Sequence, residues 1–577
     1  MNDNHMLWPV AGALQVPASQ YLKQTTLWTD YAIWGLDIYD NQPTWFSLIE
    51  LMLVLTAQHR IDKPLLADMP HDGEGRPVHE TVQYLIYYND NLRHLMFRDQ
   101  DILPLSERNS TDQNALWNEW LTRVKKDFPH LDFGYVRDAF SDDFNKFSEA
   151  VDLLRSAEVE PMHAKRWTSR HLQPLGDAAL FPDYALKSDG WDGELDRRFF
   201  RRTGEIHYLM LSRASEEIRT VLASLIEERV FGKANHWNKI AKKLQGPDAD
   251  LQKARTIAAN SFAYLPQPRL ERYDHLGRDW VSVLRRRSVP FEDALDYLMR
   301  ITALNEVIYI VEQAARTYGQ KARPIFYLDM LGASAGGHVR AASIENYRSH
   351  KDLVKKAVEA YIHSYFETEE WQSLDDSAID CGKAQVALKA RFLFSSTHST
   401  AHPKKKGEQA QELLEKAATR SHSIGQAFTA HSRQLGLLTL KQGIGGWYSP
   451  TDSLLDALVV ANVDGTIELQ EFLRILYDRY GFVIGVEEAK LASNVLPAPG
   501  ETLVSNERRF EERLRVLGYI DRKSDDCAFV INPFPEGALR DEQSFNHRPH
   551  CRRPHPRAVG SRGRRPSDPH PLRHHRP

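Results

Sequence analysis

Four short phrases in this chain carry residue types and spacings that could do chemistry. "GASAG" (332–336) sets Ser334 between glycines in a G-x-S-x-G spacing. Such a turn exposes a hydroxyl nucleophile, which a later acid and His would have to activate. "HETVQ" (79–83) has Gln where a helix-borne zinc site needs its second His, so half of the imidazole pair is missing. "GVEEAK" (485–490) offers an E-x-K pair, but its upstream acid, Asp478, falls in an amphipathic helical stretch rather than a strand. "NVDGTIE" (462–468) reads like the second half of a calcium loop. Aligning Gly465 with the sixth loop position puts Asn462 at the third, Asp464 at the fifth and Glu471 at the twelfth. Val460 then stands first, where a carboxylate is required, so calcium binding is not expected. No G-x-x-x-x-G-K-[ST] phosphate loop occurs. No metal and no cofactor are expected.

The elements that must position these residues favour a helical protein. Apolar residues recur at spacings of three and four along 78–97, 114–128, 139–157 and 205–231. The clearest helix is expected over 288–319, with Pro290 in its first turn and Gly319 at its end. Leu295, Leu298, Ile301, Val307, Ile308, Val311 and Ala315 are too many for one stripe, so this helix should be buried around most of its circumference. A nucleophile elbow needs a parallel sheet of alternating strands and helices, whereas 200–320 and 350–435 read as nearly continuous helix. A short strand is allowed at 324–331.

At 577 residues, two to four domains are expected. The net charge of −4 hides an asymmetry, because nine Arg and one Asp in 545–577 leave the rest of the chain at −12. A body that acidic excludes broad, non-specific nucleic-acid binding and leaves room only for a local contact. Three widely spaced cysteines form no C-x-x-C pair and suit a reducing, cytoplasmic setting. The most apolar run, "FSLIELMLVL" (46–55), is too short for a bilayer and contains Glu50, so no membrane role is expected. Nine of the twelve Trp precede residue 240, which suggests one aromatic-rich N-terminal core. The expected division is an aromatic-rich helical domain at 1–245, a second helical domain at 246–435, a small α/β module at 436–535, and an Arg/Pro/His-rich tail at 536–577. The tail lacks the apolar content to fold, and reads either as a disordered basic tail or as translation past a frameshift.

Two resemblances sharpen these readings. "SAGG" (334–337) is similar to the elbow of hormone-sensitive-lipase-like esterases, which would make Ser334 a catalytic nucleophile, although no H-G-G-G segment precedes it. Residues 440–534 resemble a winged-helix domain. Ser449-Pro450-Thr451-Asp452 opens a first helix, Thr466 caps a second that Gly481 ends, and a third runs from about Asn506 to Leu517 with Gly518 as its stop. "YIDRKSDDCAFVI" (519–531) follows as strand, turn, strand. The resemblance implies that the third helix and wing face DNA, through Arg508, Arg515, Arg522 and Lys523. Glu507, Glu511 and Glu512 share that helix, and the insert at 482–504 is longer than the family's usual turn.

The chain is therefore expected to be a mainly α-helical, multidomain, non-enzymatic adaptor or DNA-docking subunit of a larger complex. Its partners would be the other proteins of that complex, and double-stranded DNA through the winged helix. In general architecture it resembles helical accessory proteins of prokaryotic anti-phage defence systems. A serine hydrolase acting through Ser334 and a structural oligomerisation protein are the alternatives.

Overall fold

The apolar run between Pro290 and Gly319 folds as one helix, Phe291–Tyr318, and its circumference is buried from Ala294 to Ala315 with few breaks. Gly319, at φ +83°, ends it by placing its N–H on the Arg316 carbonyl, 3.1 Å away. This is a computed structural model. It describes residues 7–14, 29–35, 42–60, 63–74, 102–108, 111–127, 132–159, 202–232, 236–245, 265–332, 337–395, 403–493, 496–523 and 527–534, with a few isolated residues and two-residue strands. Ser334, the tail from 536, most of 78–97 (including 79–83) and the expected boundary beyond Gln245 lie outside the described residues.

The fold is mainly helical with small sheets. In chain order the elements that frame the site begin with α1 (Thr44–Arg60), α2 (Thr203–Ser212), α3 (Glu271–Arg285) and α4 (Phe291–Tyr318). Strand β1 (Phe326–Tyr327), α5 (Gly337–Phe366), α6 (Ala378–Phe392) and α7 (Lys406–Gln434) follow. The C-terminal part holds the hairpin β2 (Leu438–Lys441) and β3 (Gly445–Tyr448), then α8 (Asp452–Asn462), β4 (Thr466–Glu468) and α9 (Leu469–Tyr480). It ends with β5 (Phe482–Val483), α10 (Val486–Ala492), α11 (Gly500–Val516), β6 (Ile520–Arg522) and β7 (Ala528–Ile531).

Helix α4 is the hub, packed against α1, α3, α5, α7 and α8. One continuous apolar core runs from Leu7 to Val530 and draws on all three expected folded segments. Burying each of its Leu, Ile or Val side chains contributes roughly 1.5–3 kcal/mol. The described residues all fall within one compact unit, 1–537. The aromatic-rich part is divided between two cores. Trp34 belongs to the main core, while Trp117 and Trp120 pack with Phe133, Phe144 and Phe147 in a separate cluster.

Three local expectations change. The described residues of the expected 78–97 helix, Leu85–Ile86, form a strand paired with Arg255–Thr256. The 205–231 stretch breaks into α2 and a second helix, Glu216–Arg229, because Arg213 leaves helical geometry and Ser215 N–H turns to the Asp274 carboxylate, 2.7 Å. Thr466 is not a cap. It starts strand β4, and α9 begins at Leu469.

A polar network missed by sequence reading joins α1, α2, α4 and α7 inside the core. Glu306 is fully buried between His207 Nε2 (3.0 Å) and His431 Nδ1 (2.6 Å), while His431 Nε2 donates to the Gln42 carbonyl at 3.0 Å. A carbonyl on one ring nitrogen and a carboxylate on the other call for a proton on each, so His431 is an imidazolium. Glu50, the odd residue in the apolar run, takes the Arg202 and Gly204 N–H groups and the Gln42 amide, each at 3.0 Å. Among the described residues no group of His, Cys, Asp and Glu is arranged to hold a metal, and no helix is long and apolar enough to cross a membrane.

Candidate interface on the C-terminal module

The module from α8 to β7 is built on short-range signals. Thr451 caps α8, its hydroxyl accepting from Leu454 N–H at 3.4 Å. The turn Val463-Asp464-Gly465 has Gly465 at φ +87°, and β4 leaves it to pair antiparallel with β7, which also pairs with β6. The sheet order is therefore β4-β7-β6. Helix α11 starts at Gly500, six residues before the expected Asn506, because the end of the insert winds into it.

The calcium-like turn is occupied by the protein itself. Arg286, fully buried at the end of α3, donates to the Val463 carbonyl at 3.0 Å and ion-pairs with the Asp464 carboxylate. The Gly465 carbonyl accepts from Asn532 N–H, 2.8 Å. A guanidinium already neutralises the one carboxylate in the turn. Calcium at micromolar to millimolar levels is expected to leave the melting temperature unchanged, as a thermal scan with calcium against chelator would read. A stabilisation lost in Asp464→Ala would contradict this geometry.

Further buried polar contacts seat the module on the helical body. Asp279 of α3 is inaccessible and holds Tyr480 OH at 2.8 Å, Arg479 Nη2 at 2.7 Å and Asn305 Nδ2 at 2.9 Å. Arg479 also reaches Asn462 at 2.5 Å, and Arg272 donates to the Arg479 carbonyl at 2.9 Å. The insert supplies β5, which pairs parallel with β1 across about 155 residues of chain. Gly481 makes this approach possible, since it sits at φ +73° and a Cβ there would lie 2.7 Å from the Pro324 carbonyl. Asn506 of α11 stitches the junction, accepting from Met330 N–H at 2.8 Å and donating to the Leu328 and Ile484 carbonyls at 2.9 Å.

For the hydrolase reading, Ser334 itself lies outside the described residues, and only the chain on either side of it is described. Strand β1 leads toward it and α5 follows, but β1 belongs to a two-stranded ladder of two residues per strand. Asp329, a buried acid five residues earlier in the chain, is taken by Arg340 at 2.9 Å and by Leu331 N–H at 3.0 Å. The E-x-K phrase is helical. Glu488 accepts from Gly485 N–H at 3.1 Å, and Lys490 pairs with Glu487 at 2.8 Å.

On α11, Leu503, Asn506, Phe510 and Leu514 face inward, with Phe510 stacked on Phe472 at 6.2 Å between ring centres. The sequence-derived cations divide two and two. Arg508 and Arg515 are exposed on the outer face and have no ion-pair partner among the described residues. Arg522 lies 3.7 Å from Glu511, and Lys523 pairs with Asp521. Arg509 is matched by Glu512 at 2.8 Å, and Arg513 is held by Asp452 at 3.0 Å. Carboxylates crowd the adjoining edge. Burial, and then the negative charges of Glu487 and Glu511, push the Glu507 carboxyl above its usual range. Glu488 is raised for the same reasons, with burial first and Glu507 and Glu487 adding to it. Large apolar side chains also stand in solvent on this helix, Val516 at 82% and Val504 at 47% exposure. Sequence reading noted Glu507, Glu511 and Glu512 on this helix but missed that Glu487 and Glu488 join them, and it missed the two exposed valines.

Compared with known protein families, characterised proteins and solved structures, the chain matches none.

Proposed function

We propose that this chain is a non-enzymatic adaptor whose C-terminal winged-helix module docks a protein partner through the outer face of α11. The winged-helix reading is supported by the order α8, β4, α9, α11, β6, β7 and by the β4-β7-β6 sheet. The docking reading rests on one observation. The outer face pairs most of its cations with carboxylates while leaving Val516 at 82% exposure. Charge-balanced, partly apolar faces suit protein interfaces, whereas phosphate backbones need uncompensated cations. Arg508 and Arg515 favour the second reading, a local DNA contact, because nothing described neutralises them. The larger assembly is proposed to be cytoplasmic and part of a prokaryotic defence system, on architectural likeness alone.

Val516→Asp tests the protein reading, since so exposed a side chain is not needed for folding. The variant is expected to melt like the parent and to lose the proteins that co-purify with the full chain from its native host. An unchanged set of co-purifying proteins would move the docking face elsewhere.

A further inference from the structure

A cavity of about 460 Å³ opens where α3 begins and α4 ends, well away from the outer face of α11 in chain position. That volume lies within the usual range for small-molecule sites. Its walls hold Arg272, Arg316, Lys321 and Arg323 against Glu271 and Glu312. Arg272 is already spent, taking both Glu312 oxygens at 3.1 and 2.7 Å. Arg316 and Lys321 are exposed and have no hydrogen bond or ion pair among the described residues. Arg323 gives its terminal nitrogens to the Tyr477 and Asp478 carbonyls, which leaves its charge uncompensated. Three cations against Glu271 leave about two positive charges, and the opposed ends of α3 and α4 largely cancel each other's dipoles.

The wall also holds a polar nitrogen without a partner among the described residues, His275 Nδ1. Burial first, then the surrounding Arg272, Arg479, Arg278 and Arg323, push the His275 imidazole down to about 3, so it is neutral at physiological pH. Its Nε2 lies 3.4 Å from Glu271. The imidazole thus sits in an excess of positive charge.

We propose that this cavity binds a small phosphorylated molecule, with its phosphate taken by Arg316, Lys321 and Arg323. A phosphate monoester carries about −1.5 to −2 near neutral pH, which matches the uncompensated charge, and guanidinium forks suit its oxygens. Arg272 and Arg323 also grip the carbonyls at the end of α9, so a bound anion would tighten the seat of the C-terminal module.

The test is calorimetric titration of the full chain with inorganic pyrophosphate at constant ionic strength, with a thermal scan beside it. Saturable binding with Kd below about 1 mM is expected, with a rise in melting temperature. The Arg316→Ala/Lys321→Ala double variant should fold and melt like the parent without ligand, because both side chains are exposed, and should bind at least about tenfold more weakly. No saturable binding by the parent, or equal binding by the double variant, would overturn the proposal.

Discussion

Glu306→Gln is expected to destabilise the protein by about 3–5 kcal/mol, the usual cost of removing one partner from a buried ion pair. The glutamine fits the same space but leaves the His431 imidazolium, inaccessible in the core, without its counter-charge. The loss should depend on pH. Burial alone would raise the Glu306 carboxyl, but the imidazoles of His431 and His207 outweigh it and hold it down at about 2. A depressed carboxyl stabilises the fold above its unfolded value near 4.5, and that stabilisation fades as pH falls toward 2. Urea unfolding of parent and variant should therefore show a wide gap at pH 7 that narrows progressively below pH 4.5. A gap independent of pH would mean that Glu306 acts through its hydrogen bonds and not through its charge.

The second large effect is expected at the seat of the module. Arg479→Ala leaves Asp279 buried without its cation, at a cost of about 3–5 kcal/mol, and loosens the end of α9 where Arg272 holds the Arg479 carbonyl. The Asp279→Ala/Arg479→Ala double variant should be less damaged than the sum of the two single ones, because removing both charges strands neither. Denaturant unfolding of all four proteins measures the coupling. Strict additivity would place the seating energy in the β1–β5 pair and Asn506 rather than in the ion pair.

How far the sequence could be read follows from the range of each signal. Helix α4 was legible because its apolar residues and Gly319 are local, and α8 because Thr451 and Asp452 announce its start. The end of α11 was legible for the same reason, from Gly518. The start of that helix was not, since nothing in "PAPGETLV" marks whether the chain winds early. Thr466 suits a cap or a strand, and only its β7 partner about 65 residues later decides between them. The β1–β5 pair joins two-residue pieces too short to carry a periodic pattern. Glu50, Asp279 and Glu306 are lone acids in helical stretches, each given meaning by partners scattered along the chain. Exposure of Arg508 and Arg515 was foreseeable from helical spacing, whereas neutralisation of Arg522 depends on Glu511 of α11 and that of Lys523 on Asp521, partners that only the folded chain sets beside them.

The most direct measurement is fluorescence anisotropy of the full chain on duplex DNA at several salt concentrations, for the parent and for a variant lacking the charges of Arg508, Arg515, Arg522 and Lys523. If α11 docks protein, binding at physiological salt should be no tighter than the non-specific range, about 10⁻⁴–10⁻⁶ M, and indifferent to the four substitutions. Nanomolar binding, with a salt slope that flattens by about one unit for each cation removed, would contradict the protein-docking role and make this face a DNA interface.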